Sequence, residues 1–264
     1  MMSGRLSWLI LLTWSVLAFG AFFFSPDIES IHLQGILESP SSEFLLGQDD
    51  LGRSILPRLV YGAQISLMIA ISVTLASSCI GIFIGALSAW VGGPLDHFVV
   101  RLIDSFMAFP GILLAIALAG LMGPGISNLV IALSVVGWVG FARLTRAQVL
   151  SLKSREHVYA ARAMGVGDSK IIVRHLLPLI AAPLLIEATF SIANIVIAEA
   201  GLSFLGIGIQ PPEASWGNMI RDGSRYLLVA PHMVLIPGLA LASLVYSINV
   251  IGDQLRDRLD QKSY

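Results

Sequence analysis

Charged residues are scarce in this sequence. Asp, Glu, Lys and Arg make up 12% of its 264 residues, and 56% of the residues are hydrophobic. Soluble domains carry about 25% charged residues, so a chain with half that fraction is expected to have lipid as its main solvent. The formal net charge is −1, which gives no overall field that would attract nucleic acid.

Cysteine is nearly absent. The one thiol, at Cys79, excludes an internal disulfide and a cysteine-based metal cluster, and its position in an apolar run predicts a small buried side chain. The five histidines are scattered, and no two have the H-x-x-x-H spacing of a helical metal pair. The G-x-S-x-G motif is also missing, so no residue grouping supports an intramembrane enzyme, and we predict neither a catalytic nor a metal site.

Long apolar runs are abundant instead. Six of them are candidates to cross a membrane as helices, at 6–24, 63–90, 98–122, 127–141, 179–201 and 229–251. The first run follows Arg5 and could mimic a signal peptide, but its 19 residues exceed the roughly 7–15 of a signal core. At 1.5 Å per residue it extends about 28 Å, close to the roughly 30 Å of a hydrocarbon core, so we expect an uncleaved first span. The sequence therefore predicts an all-α, polytopic membrane protein with six transmembrane helices.

The basic residues predict how these spans are oriented. With both termini on one side, that side holds 12 of the 16 Lys and Arg residues, namely Arg5, Arg101, the seven from Arg143 to Arg174, Arg256, Arg258 and Lys262. The other side holds the remaining four, Arg53, Arg58, Arg221 and Arg225. Cytoplasmic loops carry the excess of positive charge, so both termini are expected in the cytoplasm. Residues 146–178 then form the long cytoplasmic loop, while 25–62 and 202–228 are periplasmic.

Phosphate-binding motifs are missing. None of the three lysines, Lys153, Lys170 and Lys262, follows a glycine, so the G-K-[ST] end of a Walker A loop is absent. The cytoplasmic loop 146–178 is also far shorter than the roughly 100 residues of a domain. This chain is therefore not expected to hydrolyse ATP by itself, and ATP-driven transport would require a separate ATPase chain.

Carboxylates inside the predicted spans are few. Glu187 lies near the middle of the fifth span and Glu199 near its outer end. A carboxylate in the bilayer is costly, so it usually faces a cavity or a partner. Two interpretations stay open for both residues: a place on a translocation path, or a contact that packs helices together.

The cytoplasmic loop carries the most informative pattern. Ala160, Ala161 and Ala163 favour a helix, and Gly165 is suited to end it. Asp168 or Ser169 could cap a second helix, which Pro178 would close. Small alanines and a glycine turn suit close approach by another protein, whereas the basic residues would equally suit contact with anionic lipid.

This loop resembles the EAA loop of ABC importer permeases, whose pattern is roughly E-A-A-x-x-x-G, nine residues, then I-x-x-x-x-L-P. Ala160, Ala161, Gly165, Leu177 and Pro178 match it, and Tyr159 stands where the family usually has Glu. The resemblance implies that the loop, with Ala163 on the same helix, contacts an ATPase subunit.

Other segments resemble one group within that family. The run from Gly47 to Arg53, with Arg58 and the 62–67 run, is similar to a signature of dipeptide, oligopeptide and nickel permeases. The runs 199–206, 211–212, 216–217, 237–238 and 249–260 fit the second, shorter permease subunit of that group.

The resemblance implies an ABC importer type I permease fold and a specific set of partners. Residues 1–62 would form an N-terminal transmembrane helix and periplasmic segment, and 63–264 the permease domain. The partners would be a second homologous permease, two ATPase subunits that hold ATP and Mg²⁺, a periplasmic solute-binding protein and membrane lipid; this chain would bind no cofactor. A stand-alone carrier or channel is the alternative, and a non-transport scaffold is a third interpretation. The substrate, such as a peptide or a nickel chelate, is not readable from the sequence.

Overall fold

The chain folds as a bundle of helices. The computed structural model describes residues 2–24 and 26–260. In that part of the chain the only strand-like pairing is an isolated bridge between Gln48 and Ser54. The helices are α1 (Met2–Phe24), α2 (Ile55–Val91), α3 (Gly93–Met107), α4 (Gly111–Met122), α5 (Ile126–Leu152), α6 (Glu156–Ala163), α7 (Asp168–Ile171), α8 (Leu177–Phe204), α9 (Trp216–Ser224) and α10 (His232–Asp260), with a 3-10 turn at Leu33–Gly35 and a π-helical turn at Ile172–Leu176.

Five helical segments are long and apolar enough to cross a membrane, which confirms the all-α prediction. They are Gly4–Phe24, Ile55–Val91, Ile126–Leu152, Asp168–Phe204 and His232–Leu259. The predicted span 98–122 differs, because α3 and α4 meet there at an angle of 86°. Pro110 precedes α4 with a non-helical ψ of 117°, and a proline at this place interrupts the helical hydrogen bonds. The total is six crossings when the bent pair is counted as one.

The fourth predicted span was too short. Helix α5 continues beyond residue 141 to Leu152, because Ala142, Thr145 and Val149 keep one face buried. This helical spacing of buried positions continues the amphipathic pattern past the end of the apolar run. Helix α5 therefore continues into the predicted cytoplasmic loop 146–178 and ends before Lys153, which caps it.

Helices α2 and α5 pack against each other with their backbones in close contact. A Cβ atom built on Gly81 would lie 2.5 Å from the Trp138 carbonyl oxygen, and one built on Gly85 would lie 2.3 Å from the Ala142 carbonyl oxygen. No side chain fits at either position, so these glycines set the separation of the two helices. Around this pair, α8 and α10 complete a core that contains the fully buried Trp216.

Helix α1 lies at the edge of the bundle. It contacts the core through Trp14, whose ring meets Trp216 edge-on at 5.0 Å and whose Nε1 donates to Ser243 Oγ at 3.0 Å.

Large apolar side chains elsewhere on the bundle face outwards, including Leu121 at 86% exposure and Leu228 at 98%. Cys79 is also exposed, so the prediction of a buried thiol was wrong. Cys79 lines an apolar groove between α2 and the segment 169–177.

Candidate functional site

The loop after α5 forms the helix–turn–helix that the sequence predicted. Helix α6 ends at Ala163, and Gly165 follows with a φ of +77°. The Gly165 N–H donates to the Arg162 carbonyl at 2.9 Å and the Val166 N–H to the Ala161 carbonyl at 3.0 Å. These two bonds are the Schellman arrangement, in which glycine takes the left-handed position.

The second helix of the loop begins and ends differently from the prediction. Gly167 precedes α7 as its cap and no side chain makes a capping bond, so neither Asp168 nor Ser169 has that role. Pro178 does not close the helix either: it lies in the first turn of α8, after the π-helical turn. The chain stays helical from Asp168 to Phe204, and the π-helical turn Ile172–Leu176, where the regular hydrogen bonding changes, stands just before Pro178.

The alanines of the loop point in different directions. Ala160 and Ala163 are exposed, beside Tyr159 and the 75% exposed Met164. Ala161 is 1% exposed and packs in a buried cluster of its own subunit with Val158, Ile171, Leu176, Ile180 and other apolar residues. Ala161 therefore faces the interior of its own subunit and not the exposed side of α6. Leu177 is half-buried against the same cluster, and Pro178 is exposed.

Charged groups fix the loop against the ends of α2 and α5. The Arg162 guanidinium stacks 4.6 Å from the centre of the Trp90 ring, and its Nε lies 3.7 Å from Asp168 Oδ1. Lys153 Nζ donates to the Ala89 carbonyl at 2.8 Å. Sequence reasoning missed the contacts of Arg162 with Trp90 and of Lys153 with Ala89, because each joins residues more than sixty positions apart.

A groove opens between α4, α5 and α8. Its volume is about 560 Å³, and apolar side chains from all three helices form most of its wall. The polar side chains in the wall are Glu187, Ser191 and Asn194, all on α8. Their spacing of four and three residues places them along one face of the helix. Ser191 and Asn194 were not singled out in the sequence, since isolated hydroxyl and amide residues are common packing groups in membrane helices.

The two carboxylates predicted as site candidates lie in different environments. Glu187 is half-buried in the groove, and its Oε1 would lie 2.9 Å from a Cβ built on Gly140. Glu199 is fully buried and does not line the groove. It accepts hydrogen bonds from Ser66 Oγ at 2.7 Å and Ser203 Oγ at 2.9 Å. Glu199 therefore joins α8 to α2 within the subunit.

The segment before α2 is held by an ion-pair network. Asp49 accepts from the Arg53 N–H at 2.9 Å and pairs with Arg53 Nε at 2.7 Å, while Arg58 Nε lies 3.4 Å from the same carboxylate. Arg58 Nη1 also donates to the Ile28 carbonyl at 3.1 Å. Burial, followed by the neighbouring Asp49, raises the pKa of Asp50 above its ordinary value. The charged residues of the 47–58 run therefore organise the fold of this segment.

Helix α9 closes over the same region. The Trp216 Nε1 donates to the Leu59 carbonyl at 2.9 Å, and a Cβ on Gly62 would lie 2.8 Å from the Trp216 ring.

In residues 2–24 and 26–260, no three His, Cys, Asp or Glu side chains are grouped as metal ligands.

Long apolar helices with outward-facing apolar side chains, a groove with three polar side chains in its wall and a helical loop at one end are typical of a membrane-spanning subunit of a solute transporter. The chain belongs to the family of binding-protein-dependent transport system inner membrane components, whose model matches residues 78–263. This membership supports a permease subunit over a stand-alone carrier or a channel.

Its relatives include permeases of peptide and nickel systems. The dipeptide transport system permease protein DppC of Alkalihalophilus pseudofirmus is 39% identical over 226 residues, covering 86% of this chain and 74% of that protein. The nickel transport system permease protein NikC of Escherichia coli K12 is 37% identical over 259 residues, covering 98% of this chain and 94% of that protein. The MetNI methionine ABC transporter, in an inward-facing conformation, contains a chain of the same fold, with a TM-score of 0.62 at 21% identity over 77% of this chain and 97% of that one.

Proposed function

We propose that this chain forms half of the membrane pore of an ABC importer for peptides or a related small solute such as a nickel chelate. The other half is a second homologous permease, and an extracytoplasmic binding protein delivers the solute. Two ATPase subunits bind ATP and Mg²⁺, and this chain itself holds no cofactor. The dipeptide and nickel transport systems of DppC and NikC support the substrate range, and the family's dependence on a binding protein supports the delivery step.

One observation carries this proposal: the loop and the groove belong to the same continuous helical segment. Helix α7, the π-helical turn and α8 run from Asp168 to Phe204 without a break. Glu187, Ser191 and Asn194 lie on that segment and line the groove. A displacement of α7 is therefore transmitted along the helix axis to one wall of the groove.

The loop is built to receive such a displacement. Its exposed surface includes Tyr159, Ala160, Ala163 and Met164, while its buried side packs against the subunit's own core. A contact on the exposed surface moves α6 and α7 together, because Arg162 pairs with Asp168 and because Val158 and Ala161 pack in one cluster with Ile171. The π-helical turn at Ile172–Leu176 is the place where this movement meets the membrane-spanning part.

In this proposal both termini are cytoplasmic. The distribution of 12 to 4 basic residues supports that orientation, although Lys262, counted among the 12, lies outside the described residues. The segment 26–54 and the region around α9 then face the binding protein outside the cell. The ion pairs of Asp49 with Arg53 and Arg58 hold the first region against the start of α2, and the contact of Trp216 with Leu59 holds α9 against the same helix.

Reconstitution tests the assignment. Proteoliposomes that contain the whole complex, with binding protein outside and ATP inside, should accumulate alanyl-alanine or a nickel chelate. Liposomes that lack the ATPase subunits should not, and this purified chain should hydrolyse no ATP above background. Uptake driven by a proton gradient without the ATPases would contradict the proposal and favour a stand-alone carrier.

Thiol accessibility tests the groove as part of the path. The single native cysteine makes a cysteine-free chain available through Cys79→Ser. In that chain, Ser191→Cys and Asn194→Cys should react with a membrane-impermeant thiol reagent during ATP turnover. Leu185→Cys is the control, because Leu185 is 57% exposed on another face of α8 and should be shielded by lipid. Equal protection of positions 185, 191 and 194 would exclude the groove from the path.

A further inference from the structure

Among the residues that the structure describes, Glu187 is the one ionisable side chain in the groove wall. It lies near the midpoint of the helical segment Asp168–Phe204, and the remaining wall is apolar except for Ser191 and Asn194. A carboxylate at this depth is costly unless it faces water or a cationic partner. Any role for Glu187 in recognising a solute rests on the proposed function, since the solute reaches the groove only if this chain forms part of a pore.

The Glu187 carboxylate has no partner among the described residues: no hydrogen bond or ion pair reaches it from residues 2–24 or 26–260. Glu199, twelve residues further along the same helix, has both oxygens occupied by serine hydroxyls. The chain therefore satisfies one of the two carboxylates itself and leaves the other open to the groove.

Gly140 on α5 gives the carboxylate its position. A Cβ built at residue 140 would lie 2.9 Å from Glu187 Oε1, which is closer than side-chain carbons normally approach. The absence of a side chain at 140 thus leaves room for the carboxylate against the α5 backbone. The Glu187 carboxylate therefore lies at the groove wall, against the backbone of α5.

We propose that the Glu187 carboxylate binds an ammonium group of the transported solute as it passes through the pore. A carboxylate accepts short, charge-assisted hydrogen bonds from an ammonium, and these are stronger where water is partly excluded. Ser191 and Asn194, one and two helical turns along the same face, offer a hydroxyl and an amide to the neutral part of the solute. The solute class is one with a free amine, such as a peptide with an unblocked N-terminus.

The alternative partner for Glu187 is a basic side chain of the second permease. The two cases differ in the local concentration of charged reagents at position 191. If Glu187 is open to the path, its negative charge attracts cationic reagents and repels anionic ones there. If Glu187 is paired with a basic side chain of the second permease, that charge is neutralised.

The test uses Ser191→Cys in the Cys79→Ser chain, assembled in the whole complex. Its modification rate is measured with a trimethylammonium methanethiosulfonate and with the sulfonate analogue. The ratio of cationic to anionic rates should fall at least fivefold on Glu187→Gln, and Glu187→Asp should restore most of it. Asn194→Cys, a turn further away, should show a smaller change. Recovery of the ATPases with each variant monitors assembly.

A competitor then identifies the bound group. Alanyl-alanine amide carries an ammonium and no carboxylate. It should slow modification of the cysteine at position 191 in the chain that keeps Glu187, and it should have no effect in the Glu187→Gln variant. N-acetylalanine amide, which is uncharged, should not slow it. Three outcomes would each overturn the assignment of Glu187 as the ammonium-binding group. These are an unchanged ratio of cationic to anionic rates in Glu187→Gln, loss of ATPase recovery in that variant, and equal effects of the two amides. An absence of any reaction at position 191 would instead refute the proposed path itself.

Discussion

Gly165 is the residue at which one substitution separates the subunit's own stability from the proposed contact with the ATPase. Its φ is +77°, and nothing lies within 4 Å of a Cβ built there. Within this chain the only penalty of a side chain is therefore conformational, and a left-handed residue costs about 1–2 kcal/mol, with Asn and Asp tolerated best. Gly165→Ala, Gly165→Asn and Gly165→Asp should all insert and accumulate normally.

The magnitude of the docking defect should depend on charge. Asn and Asp have the same shape, so both carry the same conformational penalty and the same bulk at the contact. Asp adds a charge, and burying it unpaired in an interface costs at least about 3 kcal/mol more. Each 1.4 kcal/mol is a tenfold change, so ATPase affinity should fall roughly 100-fold further for Asp than for Asn.

The assay is co-purification of the ATPase with each variant at matched membrane levels, followed by titration of the ATPase in detergent. Gly165→Ala measures the conformational cost alone. Equal ATPase affinity for Gly165→Asn and Gly165→Asp, together with full uptake, would refute docking at this loop and indicate that the loop rests on lipid.

Other contacts in the subunit lead to three more predictions. Ala161→Asp, unlike Gly165→Asp, should lower the abundance of the subunit itself, because position 161 is buried in its own core; normal abundance on immunoblots would contradict this packing. Glu199→Ala should lower the melting temperature of the purified complex, since it leaves two buried serine hydroxyls without their acceptor at about 1–3 kcal/mol each, whereas Glu199→Gln keeps an acceptor and should be milder. Reporter fusions should place Glu38 and Glu213 outside the cell and Lys153 in the cytoplasm; a cytoplasmic signal at Glu38 would overturn the orientation.

The sequence was sufficient for features that depend on local pattern. The apolar runs located the spans, since any helix in lipid must be continuously apolar on its outer faces. The turn at Gly165 was also predictable, because few residues other than glycine adopt a positive φ at the end of a helix.

Features set by contacts between distant segments could not be derived in this way. The bend between α3 and α4 was missed, although Pro110 was visible, because the apolar run continues through it. The inward direction of Ala161 depends on the rotation of α6 against α2 and α5. The different roles of Glu187 and Glu199 depend on whether a serine from another helix is within reach.

The close packing of α2 and α5 also limits how the pore can open. With Gly81 against the Trp138 carbonyl and Gly85 against the Ala142 carbonyl, sliding or separating these two helices would break contacts that no other side chain can replace. We expect α2 and α5 to move as one rigid body. The α5 wall of the groove then stays fixed while the α8 wall shifts relative to it. Opening and closing of the groove in this subunit would then come from movement of α8 relative to the α2–α5 pair. A cross-link between α2 and α5 should therefore leave transport intact.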